Sequence, residues 1–153
     1  GVGVARVPEM LKAGLILGLG TDGPASNNTL DMLESVKFAC LLQKAVRMDP
    51  TALTARQALE MATIGGARAL GLDEQVGSLT PGKKADFFLL ALRRASTTPL
   101  HDIYAAIVYS ARSGAIESVF INGKPIVYDR ELLELDINEV FNRVEDVLSE
   151  LAE

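Results

Sequence analysis

Apolar residues recur every three to four positions in five stretches of the chain, and this spacing predicts five helices. The long second helix ends near Met48, and Asn28, Thr29 or Asp31 can cap its start. The third helix begins with a capping box formed by Thr54 and the glutamine three residues later. The predicted helices cover residues 7–13, about 28–48, 54–70, 100–110 and 137–151.

Shorter apolar runs predict strands. The run over residues 15–20 is continuous rather than alternating, which is typical of a parallel strand buried on both faces. Asn122-Gly123 separates two later runs and predicts a hairpin with a type I′ turn. The later predicted strands cover residues 76–79 and 85–92, joined at Pro81-Gly82, and 116–121 and 124–128.

Asp22 follows the first predicted strand, at the end of the strand where α/β proteins place their chemistry. A carboxylate leaving a buried strand must be hydrogen-bonded, paired or bound to metal. Asp22 can therefore accept hydrogen bonds within its own turn, or ligate a metal at the mouth of a barrel. A third interpretation uses Gly18, Gly20 and Gly23 as a dinucleotide-binding pattern. It fails because Asp22 would place negative charge where the pyrophosphate lies, and because no strand-ending acid follows near Lys44.

Several segments together resemble one known family. The stretch from Thr21 to Met32 (TDGPASNNTLDM) resembles the end of the eighth barrel strand in the amidohydrolase superfamily. The resemblance points to the branch of methylthioadenosine/S-adenosylhomocysteine deaminases and triazine chlorohydrolases. Residues 76–86 (VGSLTPGKKAD), 101–111 and 119–124 resemble later parts of that branch in the same order.

The resemblance implies an α/β fold, with the C-terminal portion of a (β/α)8 barrel followed by part of a small β-sandwich and a closing C-terminal helix. Residues 1–72 would form the last barrel strand and helices. Residues 73–135 would form the sandwich segment with an intervening helix, and residues 136–153 the closing helix, capped by Asp136. In this superfamily both ends of the chain build the sandwich. We therefore expect the chain to fold with other polypeptide, since open strand edges invite association.

The resemblance also implies a reaction. A divalent metal, zinc in the first place or iron, would lower the pKa of a bound water and supply hydroxide. This hydroxide would attack a purine-nucleoside-like or triazine-like ring and release ammonia, an amine or chloride. Asp22 would ligate the metal and accept the proton of the water. Ser26, Asn27 and Asn28 would bind substrate, or alternatively cap the following helix.

The metal ligands of the family are absent apart from Asp22. The chain has one histidine, His101, which matches none of the ligand histidines and is expected to cap or pack at a helix start. Because a catalytic metal takes three protein ligands, this chain cannot build the site alone. We interpret it as the C-terminal part of a longer enzyme, inactive alone, and the start at Gly1 fits a fragment. The alternative is a non-catalytic fragment or module that acts in oligomer or partner association.

Composition excludes several other partners. The net charge of −5 and a pI near 4.9 argue against a nucleic-acid surface. No apolar run is long enough to span a membrane, and we expect no secretory signal. The single cysteine, Cys40, is expected to fill core in a reducing compartment, which predicts a cytoplasmic protein. The expected partners are a small-molecule substrate, the missing N-terminal part or another chain, and further copies in a homo-oligomer, as the resemblance implies.

Overall fold

The computed structural model describes residues 3–151, which form helices and one antiparallel sheet. A π-helical turn at Ala106–Ser110 follows the short helix at Ile103–Ala105, and 3-10 turns occur at Ala95–Thr97 and Ser113–Ala115. The elements are α1 (Val7–Lys12), α2 (Pro24–Asn27), α3 (Met32–Arg47), α4 (Ala55–Met61), α5 (Ile64–Ala69), β1 (Phe87–Leu90), α6 (Ile103–Ala105), β2 (Ile116–Ile121), β3 (Lys124–Tyr128), β4 (Glu131–Leu132) and α7 (Ile137–Leu151).

The predicted ends of α3 are confirmed. The Asp31 carboxylate accepts hydrogen bonds from the backbone amides of Leu33 and Glu34, at 2.9 and 3.1 Å, and so satisfies two of the donors left open at a helix start. The helix ends at Met48, whose φ of 51° lies in the left-handed region. Local sequence signals therefore fix the position of this helix.

The single helix predicted over residues 54–70 is two helices, α4 and α5. The capping box at Thr54 is present, but the chain leaves helical geometry at Thr63, with φ −127° and ψ −104°. The backbone amide of Leu19 donates to the Met61 carbonyl at 3.0 Å, just where α4 ends. Gly65 and the glycine after it are poor helix formers, so the helix breaks where another segment offers hydrogen bonds.

The predicted barrel strand at residues 15–20 is not a strand in this structure. A parallel strand needs neighbouring strands to accept its ladder hydrogen bonds, and no described residue pairs with this segment in a ladder. Leu15 and Ile16 are 52% and 62% exposed. The segment lies against α5, where a Cβ added to Gly18 would be 3.0 Å from the Gly66 Cα. The small residues of α5 therefore allow close packing of the two segments.

The core lies between α3, α4 and the π-helical turn. Cys40 is fully buried, with its thiol 3.7 Å from the Thr54 carbonyl oxygen, which confirms the prediction that it fills core. The side chains of Val7, Leu11, Leu17 and Leu19 pack against this core at its edge. Its buried members are Val36, Cys40, Leu53, Ala58, Met61 and Val108.

The four strands form an antiparallel sheet in the order β1-β2-β3-β4. Asn122 and Gly123 both have positive φ, 52° and 76°, as a type I′ turn requires, so the predicted hairpin is confirmed. The rings of Phe87 and Phe120 stack at 4.6 Å between β1 and β2. The longer strand predicted over 85–92 is shortened to β1.

The strand predicted at residues 76–79 is irregular. Gly77 has φ 88°, which L side chains rarely adopt. A Cβ at this position would lie 2.7 Å from the Ala67 Cβ and 3.0 Å from the Ile64 Cα. The segment therefore packs closely against α5 instead of extending a sheet.

The closing helix α7 forms as predicted, and the Asp136 carboxylate accepts a hydrogen bond from the Asn138 amide at 2.9 Å. Its apolar stripe is exposed: Phe141 is 57% and Leu148 61% accessible. An amphipathic helix gains most of its stability from burying such a stripe. The division into segments 1–72, 73–135 and 136–153 stays a prediction.

Candidate functional site

Asp22 lies in the loop between residues 15–20, which do not form a strand, and α2. Its φ of 61° is left-handed, a conformation that aspartate tolerates better than most residues. The Gly23 amide donates to Asp22 Oδ1 at 2.7 Å. The prediction that Asp22 accepts a hydrogen bond within its own turn is therefore confirmed. This contact leaves a metal-ligating role open, because a carboxylate offers about four lone-pair sites.

The electrostatics of the loop favour the charged carboxylate. The hydrogen bond from the Gly23 amide, and then the proximity of the Ser26 hydroxyl, hold the pKa of Asp22 below its usual value, against a small opposing effect of burial. Asp22 is itself exposed. It is therefore ionised at neutral pH, the state that a metal ligand requires.

The structure brings Ser26 and Asn27 into the same hydrogen-bonded loop as Asp22. The Ser26 hydroxyl donates to the Gly23 carbonyl at 3.1 Å, and Asn27 Nδ2 donates to the Thr21 carbonyl at 2.7 Å. Asn28 ends α2, with its amide donating to the Pro24 carbonyl.

The alternative that Ser26, Asn27 and Asn28 cap the following long helix is wrong. Asp31 caps α3, because its carboxylate accepts from the first amides of that helix. Ser26 and Asn27 are instead part of the short helix α2. Their role as substrate contacts stays a prediction.

A complete metal site is not formed by the described part of the chain. Residues 3–151 contain no group of three His, Cys, Asp or Glu side chains placed to hold a metal ion. Asp22 fits one ligand position, because it is exposed, ionised and fixed by its turn. Two or more further ligands would have to come from other polypeptide.

His101 is exposed at the start of α6, and it does not cap that helix. The cap is Asp102, whose Oδ1 accepts a hydrogen bond from the Ala105 amide at 2.8 Å. Of the two roles expected for His101, capping the helix is therefore wrong, and packing at the helix start stays a prediction.

One polar pair escaped the sequence analysis. Lys44 Nζ donates to the Tyr109 hydroxyl at 2.5 Å and lies 4.7 Å from the centre of the ring, so it joins α3 to the π-helical turn. Burial raises the pKa of Tyr109, with smaller effects from Lys44 and Cys40. The residues are 65 positions apart, and no local pattern signals such a pair.

A groove of about 510 Å³ also lies outside the Asp22 loop. The groove is lined by residues of α5, of the irregular chain at residues 70–79 and of β1, among them Ala67, Leu72 and Phe87. Within residues 3–151, no helix combines the length and apolar character required to cross a bilayer.

Comparison with known proteins finds relatives that share one name. The chain is 51% identical over 138 residues to a 5-methylthioadenosine/S-adenosylhomocysteine deaminase of Pelotomaculum thermopropionicum, covering 90% of this chain and 32% of the relative. A deaminase of the same name from Moorella thermoacetica is 46% identical over 142 residues, covering 93% and 33%. The chain therefore spans about a third of the length of the curated relatives it matches.

Solved structures agree with these relatives. An adenosine deaminase from Xanthomonas campestris with bound zinc matches with a TM-score of 0.93 and 37% identity, over 97% of this chain and 34% of that one. The zinc complex of atrazine chlorohydrolase TrzN from Arthrobacter aurescens matches with a TM-score of 0.87 and 29% identity, over 94% and 32%. A family model described as "Amidohydrolase family" matches residues 1–126. With most of its length matched by that model, this chain belongs to the amidohydrolase family.

Proposed function

We propose that this chain forms the C-terminal third of a metal-dependent deaminase that acts on 5-methylthioadenosine, S-adenosylhomocysteine or a similar purine nucleoside. The observation that carries this proposal is the set of relatives named for that activity, which are 40–51% identical to the chain. Residues 1–72 would supply the last barrel strand and its helices, and residues 73–135 part of the adjoining sandwich.

The surface of the chain supports the presence of further polypeptide. Its accessible surface is 10835 Å² for a mass of 16.4 kDa. A folded monomer of this mass exposes about 7,500 Å², so the excess is about 3,300 Å². The stripe of α7 and the exposed segment at residues 15–16 contribute to this excess. An exposed apolar stripe such as that of α7 is typical of a surface that another polypeptide covers.

Asp22 is the residue of this chain that we assign to the chemistry. Its ionised carboxylate would contribute one metal ligand and hold a proton taken from the attacking water at a carboxylate oxygen. Zinc in such a site lowers the pKa of water and polarises the bond that is attacked. Ser26 and Asn28 are exposed on the segment that follows Asp22 and would hydrogen-bond substrate. Iron in place of zinc is a variant of the same proposal.

Two other functions are kept for specific reasons. The likeness to atrazine chlorohydrolase, at 29% identity, favours release of chloride from a triazine ring as a second activity to test. The lack of a three-ligand cluster within residues 3–151 favours a non-catalytic module acting in oligomer or partner association. Measuring the bound metal and the product released separates the chlorohydrolase from the non-catalytic module.

A chimeric enzyme tests the proposal directly. In it, this chain replaces the matching third of the Pelotomaculum deaminase, which supplies the remaining polypeptide. We expect the chimera to retain stoichiometric metal and to release ammonia from 5-methylthioadenosine. Asp22→Ala should lower this activity by at least about 100-fold, the upper end of what loss of an outer-shell partner costs. Asp146→Ala, which removes an exposed acid of α7, is the matched control and should keep activity.

The outcomes separate the three functions. Chloride release from a chlorotriazine without ammonia release would assign the chlorohydrolase activity instead. A well-folded chimera that holds no metal and hydrolyses neither substrate would support the non-catalytic module. Full activity of Asp22→Ala would remove Asp22 from the mechanism.

A further inference from the structure

The side chain of Asn27 is directed into the loop that carries Asp22. Its Nδ2 donates to the Thr21 carbonyl at 2.7 Å, across six positions of the sequence. Asn27 is half-buried, whereas Ser26 and Asn28 on either side of it are exposed. The side-chain amide of Asn27 therefore closes a hydrogen-bonded ring, made of the backbone from Thr21 to Asn27, around the candidate metal ligand.

The ring fixes the peptide that precedes Asp22. With φ at 61°, Asp22 occupies a conformation that is sparsely populated outside glycine and that persists only when its surroundings hold it. The Asn27 amide holds the Thr21 carbonyl, and the Thr21 hydroxyl donates to the Asp22 carbonyl at 3.1 Å. Both carbonyls that flank the Asp22 backbone are thus hydrogen-bonded within the loop.

The carboxylate is fixed by the same loop. The Gly23 amide donates to Asp22 Oδ1 at 2.7 Å, and that amide belongs to the peptide that follows Asp22. Since the side chain is anchored to the backbone next to it, the direction of the carboxylate depends on the geometry of the ring. A donor at position 27 therefore acts on the carboxylate through the backbone.

We infer that Asn27 is a positioning residue for Asp22 and not a substrate contact, an inference that rests on the proposed function. It replaces the prediction that all three of Ser26, Asn27 and Asn28 bind substrate. Groups that orient a ligating carboxylate affect both metal affinity and turnover, typically by 10- to 100-fold. A substrate contact made equally in the ground and transition states affects KM and leaves kcat unchanged.

The test uses the chimeric enzyme with three substitutions at position 27. Asn27→Leu keeps the approximate volume without the donor, and Asn27→Asp places an acceptor opposite the Thr21 carbonyl. Both should lower kcat by about 10- to 100-fold with KM changed by less than about 2-fold. Both should also lose zinc faster to a chelator. Asn27→Gln retains an amide donor and should recover part of the zinc retention, whereas Asn142→Leu on exposed α7 is the control and should match wild type.

A raised KM with unchanged kcat and zinc retention would overturn the inference and make Asn27 a substrate contact. Wild-type behaviour of Asn27→Leu in all three measurements would overturn it as well. If the chimera itself lacks metal and activity, the proposed function fails. Hydrogen exchange of the Gly23 amide then decides whether Asn27 holds the backbone next to Asp22. Exchange at least about 10-fold faster in Asn27→Leu supports positioning, and unchanged exchange overturns it.

Discussion

Replacing Gly65 by alanine tests how closely α5 lies to the segment that leads to Asp22. A Cβ at this position would lie 2.8 Å from the Leu17 carbonyl oxygen and 2.9 Å from the Glu60 carbonyl oxygen. Ordinary contact begins at 3.4 Å, so one of the two backbones must move by about half an ångström. Because both neighbours are backbone atoms, no side-chain rotation can relieve the clash.

The expected cost follows from two opposing effects. Overpacking of this kind destabilises a protein by about 1–3 kcal/mol. Alanine is the better helix former and returns about 0.5–1 kcal/mol. The net loss in the free energy of unfolding is therefore about 1 kcal/mol. With a urea m-value of about 1–3 kcal/mol/M, the unfolding midpoint should fall by roughly 0.3–1 M.

The assay is urea unfolding of the wild type and two variants, with Gly114→Ala as the control. A Cβ at Gly114 meets nothing within 4 Å, and its φ is not in the left-handed region, so alanine should be neutral or slightly stabilising there. In the chimeric enzyme, Gly65→Ala should also lower deaminase activity, because the displaced residue Leu17 leads directly to the loop of Asp22. Equal stability of Gly65→Ala and Gly114→Ala would refute the close approach.

Further predictions concern a cap and the core. Asp31→Ala should reduce the free energy of unfolding by about 1 kcal/mol, measured by urea unfolding, and a loss below about 0.3 kcal/mol would contradict the cap. Burial disfavours the charged form of Asp31, but hydrogen bonds from the Ser113 hydroxyl and the first amides of α3 outweigh it and lower its pKa. Its stabilisation is therefore full above the unfolded pKa and lost as pH falls through the folded one, and an NMR titration should show Ser113→Ala raising that pKa. Burial raises the pKa of the Cys40 thiol, so thiol reagents should modify it only after unfolding, and rapid modification of the native protein would be inconsistent with the core.

Local signals in the sequence were sufficient for several elements. Asp31 and Met48 mark the ends of α3 because caps depend on residues within one turn of the helix end. Asn122-Gly123 determines the hairpin, since both positions require positive φ. The spacing of apolar residues from Ile137 onward was sufficient for α7. Membership of the family also followed from sequence, through four motifs in order.

Tertiary contacts decided the rest. Residues 15–20 have the composition of a buried strand, but a strand forms only where partner strands accept its hydrogen bonds, and here the segment rests on α5. The break between α4 and α5 occurs where the Leu19 amide reaches the Met61 carbonyl, a contact between residues distant in sequence. The bond from Asn27 to the Thr21 carbonyl depends equally on how the loop folds back. The sequence could propose Asp22 and its neighbours as a site. Only the folded loop distinguishes Asn27, whose side chain bonds the backbone next to Asp22, from Ser26 and Asn28, which are exposed.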